Sequence, residues 1–174
     1  MPLLSFSIPA MLPMIVQGLA DKAVDDTAIR IRSLDAQLWV SNEFPEEVEA
    51  WQHGQRRKRQ TVRAYNYENR LSRSPWKNVR RGQRLRLWWK SRTKERRLLA
   101  EVEARSVTFI QMENAAGFLF IYPMVFSEGT GWVKGETMDS RQFAYDDGFD
   151  NVDACRDYFV PEVGATFKGV IIKW

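Results

Sequence analysis

Two stretches of the chain alternate apolar and polar residues with the period of two that marks a half-buried strand. Leu85, Leu87 and Trp89 alternate with Arg84, Arg86 and Trp88, and Leu98, Ala100, Val102 and Ala104 alternate with Leu99, Glu101, Glu103 and Arg105. The polar run Lys90–Arg96 between them predicts a hairpin turn. Val107–Met112 reads as a third strand, Leu119–Phe126 as an apolar run broken by Pro123, and Thr166–Trp174 as a strong strand through Val170, Ile171 and Ile172. Thr61 to Tyr65 is extended, Ala36 to Ser41 has strand character around Leu38, Trp39 and Val40, and Ser127–Glu136 is a glycine-containing turn around Trp132.

Helical signals are fewer. Ser7-Ile8-Pro9 has the cap and first-turn proline of a helix start, with Met11, Met14, Ile15 and Leu19 on one face and a stop near Gly18. Pro45-Glu46-Glu47 opens a short helix that Gly54 ends. Asn66–Lys77 is polar and loop-like, and Ser140–Tyr145 is a helical turn. Asn151–Phe159 is a helix capped by Asp150, with Val152, Cys155 and Phe159 on its apolar face. Short strands with two or three helices predict an α+β fold, a small β-barrel with flanking short helices. The 174 residues suit a single domain, with a probable insertion at about 19–57 that carries many of the acids.

Charge changes the picture. The net charge is only +4, but Gln55–Arg105 holds eighteen lysines and arginines against four acids, a net +14, which leaves −10 for the rest of the chain. Such asymmetry points to nucleic acid or another polyanion; the plainer alternative is a solvated face paired with the acidic flanks. One cysteine precludes an internal disulfide, so a cytoplasmic location is expected, and the proline-broken N-terminal region reads as neither a signal peptide nor a membrane span. His53, the one histidine, reads as a helix-end residue, and one His with one Cys makes no Cys/His zinc site. There is no glycine-rich nucleotide loop, and the spacing of Asp146, Asp147 and Asp150 does not fit a calcium loop. No metal and no cofactor is expected. Cys155 reads as a buried structural thiol.

The informative residues are Lys58-Arg59-Gln60-Thr61-Val62-Arg63, then Gly82-Gln83-Arg84-Leu85, Ala104-Arg105-Ser106-Val107-Thr108, Asp147-Gly148-Phe149, and Phe167-Lys168-Gly169-Val170-Ile171. In this order, from Lys58 to Trp174 with Leu4–Gly18 as the first helix, the chain resembles the ASCH domain family, a branch of the PUA-like β-barrels. In the family the first helix leads almost directly into the Lys-x-x-Thr-x-Arg segment, whereas about forty residues intervene here. The resemblance extends distantly to small bacterial amidohydrolases of N4-acetylcytidine. It implies a lysine at Lys58, a threonine at Thr61 and an acid at Asp147, where the family's glutamate is one methylene longer.

Three readings follow. In the first, the chain binds RNA, single-stranded nucleic acid or a modified nucleoside. Lys58, Thr61, Arg63 and Asp147 line the cleft, Trp76, Trp88 and Trp132 stack bases, and Arg59, Arg84, Arg86, Lys90 and Arg92 track phosphate. Trp89, alternating with Trp88, falls in the core. In the second, Lys58 activates Thr61 as a nucleophile and Asp147 carries a proton to the leaving amine of an acylated cytidine. In the third, the basic face meets an acidic protein partner.

Overall fold

The computed structural model describes residues 3–6, 12–20, 27–54, 58, 60–69 and 74–174. The chain divides into two compact units. The first comprises Met1–Arg59, Gly82–Ala104 and Trp174; the second comprises Gln60–Arg81 and Arg105–Lys173. Both mix helices with sheet, as an α+β fold requires; the second unit's sheet is antiparallel and the first unit's is mixed, and among the described residues neither closes into a barrel. No helix among the described residues is long and apolar enough to cross a membrane.

In the first unit, β1 (Leu3–Phe6) runs parallel to β3 (Arg84–Trp89), which pairs antiparallel with β4 (Arg97–Glu103). The β3–β4 hairpin is the one its alternation predicts: Leu85, Leu87 and Trp89 are buried while Arg84 and Arg86 are exposed. A bulge between Leu87 and Trp88 shifts the register toward the turn. The N-terminal segment departs from expectation. Leu3–Phe6 is a strand rather than the beginning of the first helix, because its backbone completes the free edge of β3. Helix α1 spans Leu12–Ala20 and buries Leu12, Ile15 and Leu19; the expected cap at Ser7 and the neighbouring Met11 lie outside the described residues.

Helices α2 (Thr27–Glu43) and α3 (Pro45–Gly54) follow, the second with the proline start and glycine end read from the sequence. His53 lies at its end. The strand expected at Ala36–Ser41 is instead the middle of α2. Ala36 and Val40, four apart, are buried while Leu38 between them is 67% exposed, which is helical and not strand periodicity. Phe44 then meets Trp39 and Trp89 edge to face at 5.5 Å each, with Trp39 and Trp89 tilted 6.4 Å apart, so Trp89 is core as expected.

The second unit is a five-stranded antiparallel sheet in the order β2-β8-β5-β6-β7. Its strands are β2 (Gln60–Ala64), β5 (Ser106–Ala115), β6 (Phe118–Ser127), β7 (Gly131–Lys134) and β8 (Thr166–Lys173). Two differences from expectation concern β6 and β7. The strand continues through Pro123, the last residue paired with β5, and from Met124 onward it pairs with β7 instead; proline is tolerated where one ladder gives way to the next. Trp132 sits on β7, paired with Phe126, rather than in a turn.

Helices α4 (Ser140–Asp147) and α5 (Val152–Phe159) cover one face of this sheet. Val62, Ile110, Met112, Leu119, Ile121 and Ile171 from the strands pack with Phe143, Ala144, Cys155 and Val160. Cys155 is fully buried there, as its place on the apolar helix face requires. The cap of α5 is Asn151, whose Oδ1 accepts from Ala154 N at 2.8 Å, and not Asp150; the cap is the residue immediately before the first helical one, Val152.

Candidate nucleobase site

Strand β2 carries the central motif. Alternation sends Gln60 and Val62 to one side, where Gln60 Nε2 donates to Phe143 O at 3.3 Å and Val62 joins the core under α4. Thr61 and Arg63 take the other side; Thr61 is buried and Arg63 half-buried. The register of β2 on β8 pairs Thr61 with Ile172, Arg63 with Val170 and Ala64 with Gly169. Gly169 is what lets the strands lie this way. A Cβ there would stand 2.5 Å from Phe167 Cε1 and 2.8 Å from the carbonyl oxygen of Arg63.

Asp147 is the last residue of α4, buried, and followed by Gly148 in the left-handed conformation (φ 89°) that terminates the helix. A carboxylate gains nothing from the helix dipole at that end, because the unsatisfied carbonyls there are themselves negative. It lies instead in the field of Arg63. Burial lowers the pKa of the Arg63 guanidinium, and the charge of Asp147, with a smaller contribution from the Tyr158 phenol, acts in the opposite sense to keep it protonated.

The guanidinium of Arg63 also lies over the indole of Trp76, 5.7 Å from the ring centroid. Trp76 is half-buried in a short 3₁₀ turn (Pro75–Asn78) whose cap, Ser74 Oγ, accepts from the Trp76 amide at 3.3 Å. Arg63, Trp76 and Asp147, three residues far apart in sequence, thus belong to one arrangement within the second unit, with Thr61 on the same face of β2 as Arg63. Such a set offers a carboxylate acceptor, a guanidinium donor and an aromatic face, the three contacts by which an exposed base is held.

The remaining expected residues fall elsewhere. Trp132 packs its rings against Tyr67, Phe109 and Phe126 at 4.7, 5.2 and 5.6 Å. It is a member of an aromatic cluster, which accounts for it without a ligand. Lys58 is buried and belongs to the first unit, where its amide donates to Met14 O at 3.1 Å. Arg84, Arg86, Trp88, Lys90 and Arg92 also lie in the first unit, on the β3–β4 hairpin. Of these, Arg86 is bound to Glu101 at 2.9 Å and Lys90 to Glu95. Trp88 is half-buried, and its indole N–H has no hydrogen-bond partner among the described residues. Arg59 lies outside the described residues, as do Arg56 and Arg57.

Two residues near the motif carry no signal in the sequence. Tyr158, exposed on α5, reaches the field of Arg63 and stacks its ring 5.5 Å from Phe149. Gln60 is fully buried beside Thr61. Among the described residues no three His, Cys, Asp or Glu side chains gather to hold a metal ion; Asp146 instead bonds Lys173 at 3.2 Å. Set against known protein families, curated proteins and solved structures, the chain matches none of them.

Proposed function

We propose that the second unit binds a nucleobase, and that the chain is a nucleic-acid or modified-nucleoside binding protein of the ASCH branch of PUA-like folds. On this reading the antiparallel sheet of the second unit is that of a PUA-like barrel, and residues 19–57, which hold α2 and α3, are an insertion. The observation that carries it is Asp147. A carboxylate buried at the C-terminal end of a helix beside a half-buried arginine is a poor device for stability, since removing two charges from water costs about what their attraction returns. Charge held at such cost is most often functional.

The chemistry favours a base whose edge carries both an amine and a carbonyl, as cytosine's does on either side of N3. The Asp147 carboxylate accepts from the exocyclic amine, Arg63 donates to the carbonyl, and Trp76 stacks. Calorimetric titration with cytidine and uridine tests this. Cytidine should bind more tightly, and Asp147→Asn should reduce the preference. Equal binding of both nucleosides, unchanged by Asp147→Asn, would overturn it.

One observation favours catalysis as the second reading. The described residues of the second unit bury only four polar or charged side chains, and Thr61 and Asp147 are two of them. In that reaction, within the second unit, Thr61 Oγ attacks the amide carbon of an N4-acylated cytidine as the Asp147 carboxylate takes its proton. Asp147 returns that proton to the amine as the C–N bond breaks, and water hydrolyses the acyl ester. Release of cytidine and acetate, abolished by Thr61→Ala, decides for hydrolysis; binding of unchanged nucleoside decides for recognition alone.

A further inference from the structure

The β3–β4 hairpin of the first unit ends in Ser91-Arg92-Thr93-Lys94-Glu95-Arg96. The neighbouring cations are engaged: Arg86 with Glu101, Lys90 with Glu95, and Arg97 with Asp35 at 2.9 Å and over the Trp39 ring at 4.8 Å. Arg92, Lys94 and Arg96 are exposed and have no ion-pair partner among the described residues, and the same holds for Arg84 at the far end of β3.

The backbone beneath these cations is organised. Lys90 turns into the left-handed region (φ 39°) while its amide donates to Phe6 O at 2.8 Å. Its carbonyl accepts from Thr93 N at 3.0 Å and from Thr93 Oγ1 at 3.1 Å. Thr93 Oγ1 in turn accepts from Glu95 N at 3.2 Å, and Thr93 O from Arg96 N at 3.3 Å. A loop held by five such bonds presents its cations from fixed positions.

We propose that this tip is a second binding site, for the phosphate backbone of a single strand, and that the ligand of the protein is therefore an oligonucleotide and not a free nucleoside. The choice of nucleic acid among polyanions rests on the nucleobase reading of the second unit. Charge density supports it. Arg92, Lys94 and Arg96 place three cations on one folded tip of five residues, and neutralising phosphates is what drives such a surface onto a nucleic-acid backbone. An anionic membrane is disfavoured because the tip has no apolar residue to insert, and three cations alone hold a lipid surface at only about 1 kcal/mol each.

The test uses the full chain and its R92Q/K94Q/R96Q variant, with labelled oligocytidylate followed by anisotropy and cytidine followed by calorimetry. Circular dichroism checks that the variant is folded. Each phosphate contact on a single strand contributes about 0.7 to the salt slope, so three contribute about 2.1. From about 50 to about 200 mM salt, the wild type should then lose roughly twentyfold more affinity for the strand than the variant loses. Cytidine affinity should be the same for both. An unchanged slope in the variant overturns the tip as a phosphate site. Cytidine binding without strand binding overturns the oligonucleotide assignment and leaves the nucleobase site standing, whereas loss of both overturns the base site itself. Polyglutamate or phosphatidylserine vesicles held as tightly as the strand would show that the tip serves an acidic protein or a membrane.

Discussion

Gly169→Ala tests how β2 is held, and with it the position of Arg63. The glycine has no left-handed backbone to explain it; its role is closeness. An added Cβ would lie 2.5 Å and 3.1 Å from two carbons of the Phe167 ring and 2.8 Å from the Arg63 carbonyl oxygen. The ring has little freedom to retreat, because Phe159 stands against it at 5.1 Å. The carbonyl belongs to a strand paired on both sides of this position, Arg63 with Val170 and Ala64 with Gly169. Relief must come from moving β2 outward. Overpacking of this kind costs about 1–3 kcal/mol. In a chain of this length each kcal/mol lowers Tm by about 2–4 °C, so a fall of roughly 2–12 °C is expected. The same movement displaces Arg63 from Trp76 and Asp147, so nucleoside affinity should fall together with stability. The assays are thermal unfolding by circular dichroism and calorimetric titration with cytidine. A variant within about 0.5 kcal/mol of wild type that also binds cytidine normally would refute the close approach of β2 and β8 and its role in placing Arg63.

Four further outcomes are expected. The buried Tyr67 hydroxyl has no partner among the described residues, so Tyr67→Phe should leave stability unchanged or raise it in urea unfolding; a loss above about 1 kcal/mol would reveal a hydrogen bond. Burial, aided by the neighbouring Glu68, pushes the Tyr67 phenol up to about 12 from 10.0. The unfolded chain then releases this proton first, so the contribution is complete below pH 10 and is lost as the pH rises to about 12; tyrosinate absorbance should show one phenol titrating late, absent in Tyr67→Phe. Asn151→Ala removes the N-cap of α5 and should cost about 1 kcal/mol, while Asp150→Ala should cost less; the reverse order in urea midpoints would restore Asp150 as the cap. Asp35→Asn frees Arg97 from an exposed ion pair worth at most about 1 kcal/mol, so stability should hold while affinity for oligocytidylate rises; unchanged affinity would mean that the acid does not restrain the basic hairpin.

What the sequence disclosed depended on whether a signal was local. The β3–β4 hairpin was legible because alternation and a polar turn are local properties, and the structure buries Leu85, Leu87 and Trp89 accordingly. Leu38-Trp39-Val40 misled because three adjacent apolar residues carry no period, and only the burial of Ala36 and Val40 around an exposed Leu38 separates helix from strand. Leu3–Phe6 could not be read as a strand from itself, since what makes it one is the open edge of β3, more than eighty residues away. In the candidate site, Thr61, Arg63 and Asp147 stood out through a motif resemblance, and Trp76 through its setting among polar residues. Tyr158 did not, because it comes to Arg63 only through the packing of α5 on the sheet; Gly169 stood in the motif, but its role rests on atoms that only strand pairing brings near. Trp132 shows the converse, a tryptophan among polar neighbours in sequence that folding places among other rings.

The central claim is that Arg63, Trp76 and Asp147 form a nucleobase site. Chemical-shift mapping of the labelled full chain with cytidine tests it most directly. The account predicts saturable shifts at the Trp76 indole N–H, the Arg63 side chain and the amides of Thr61 and Asp147, with the Trp132 indole unmoved. Shifts absent from these groups at saturating cytidine, or confined to Trp132 and its ring neighbours, would contradict it.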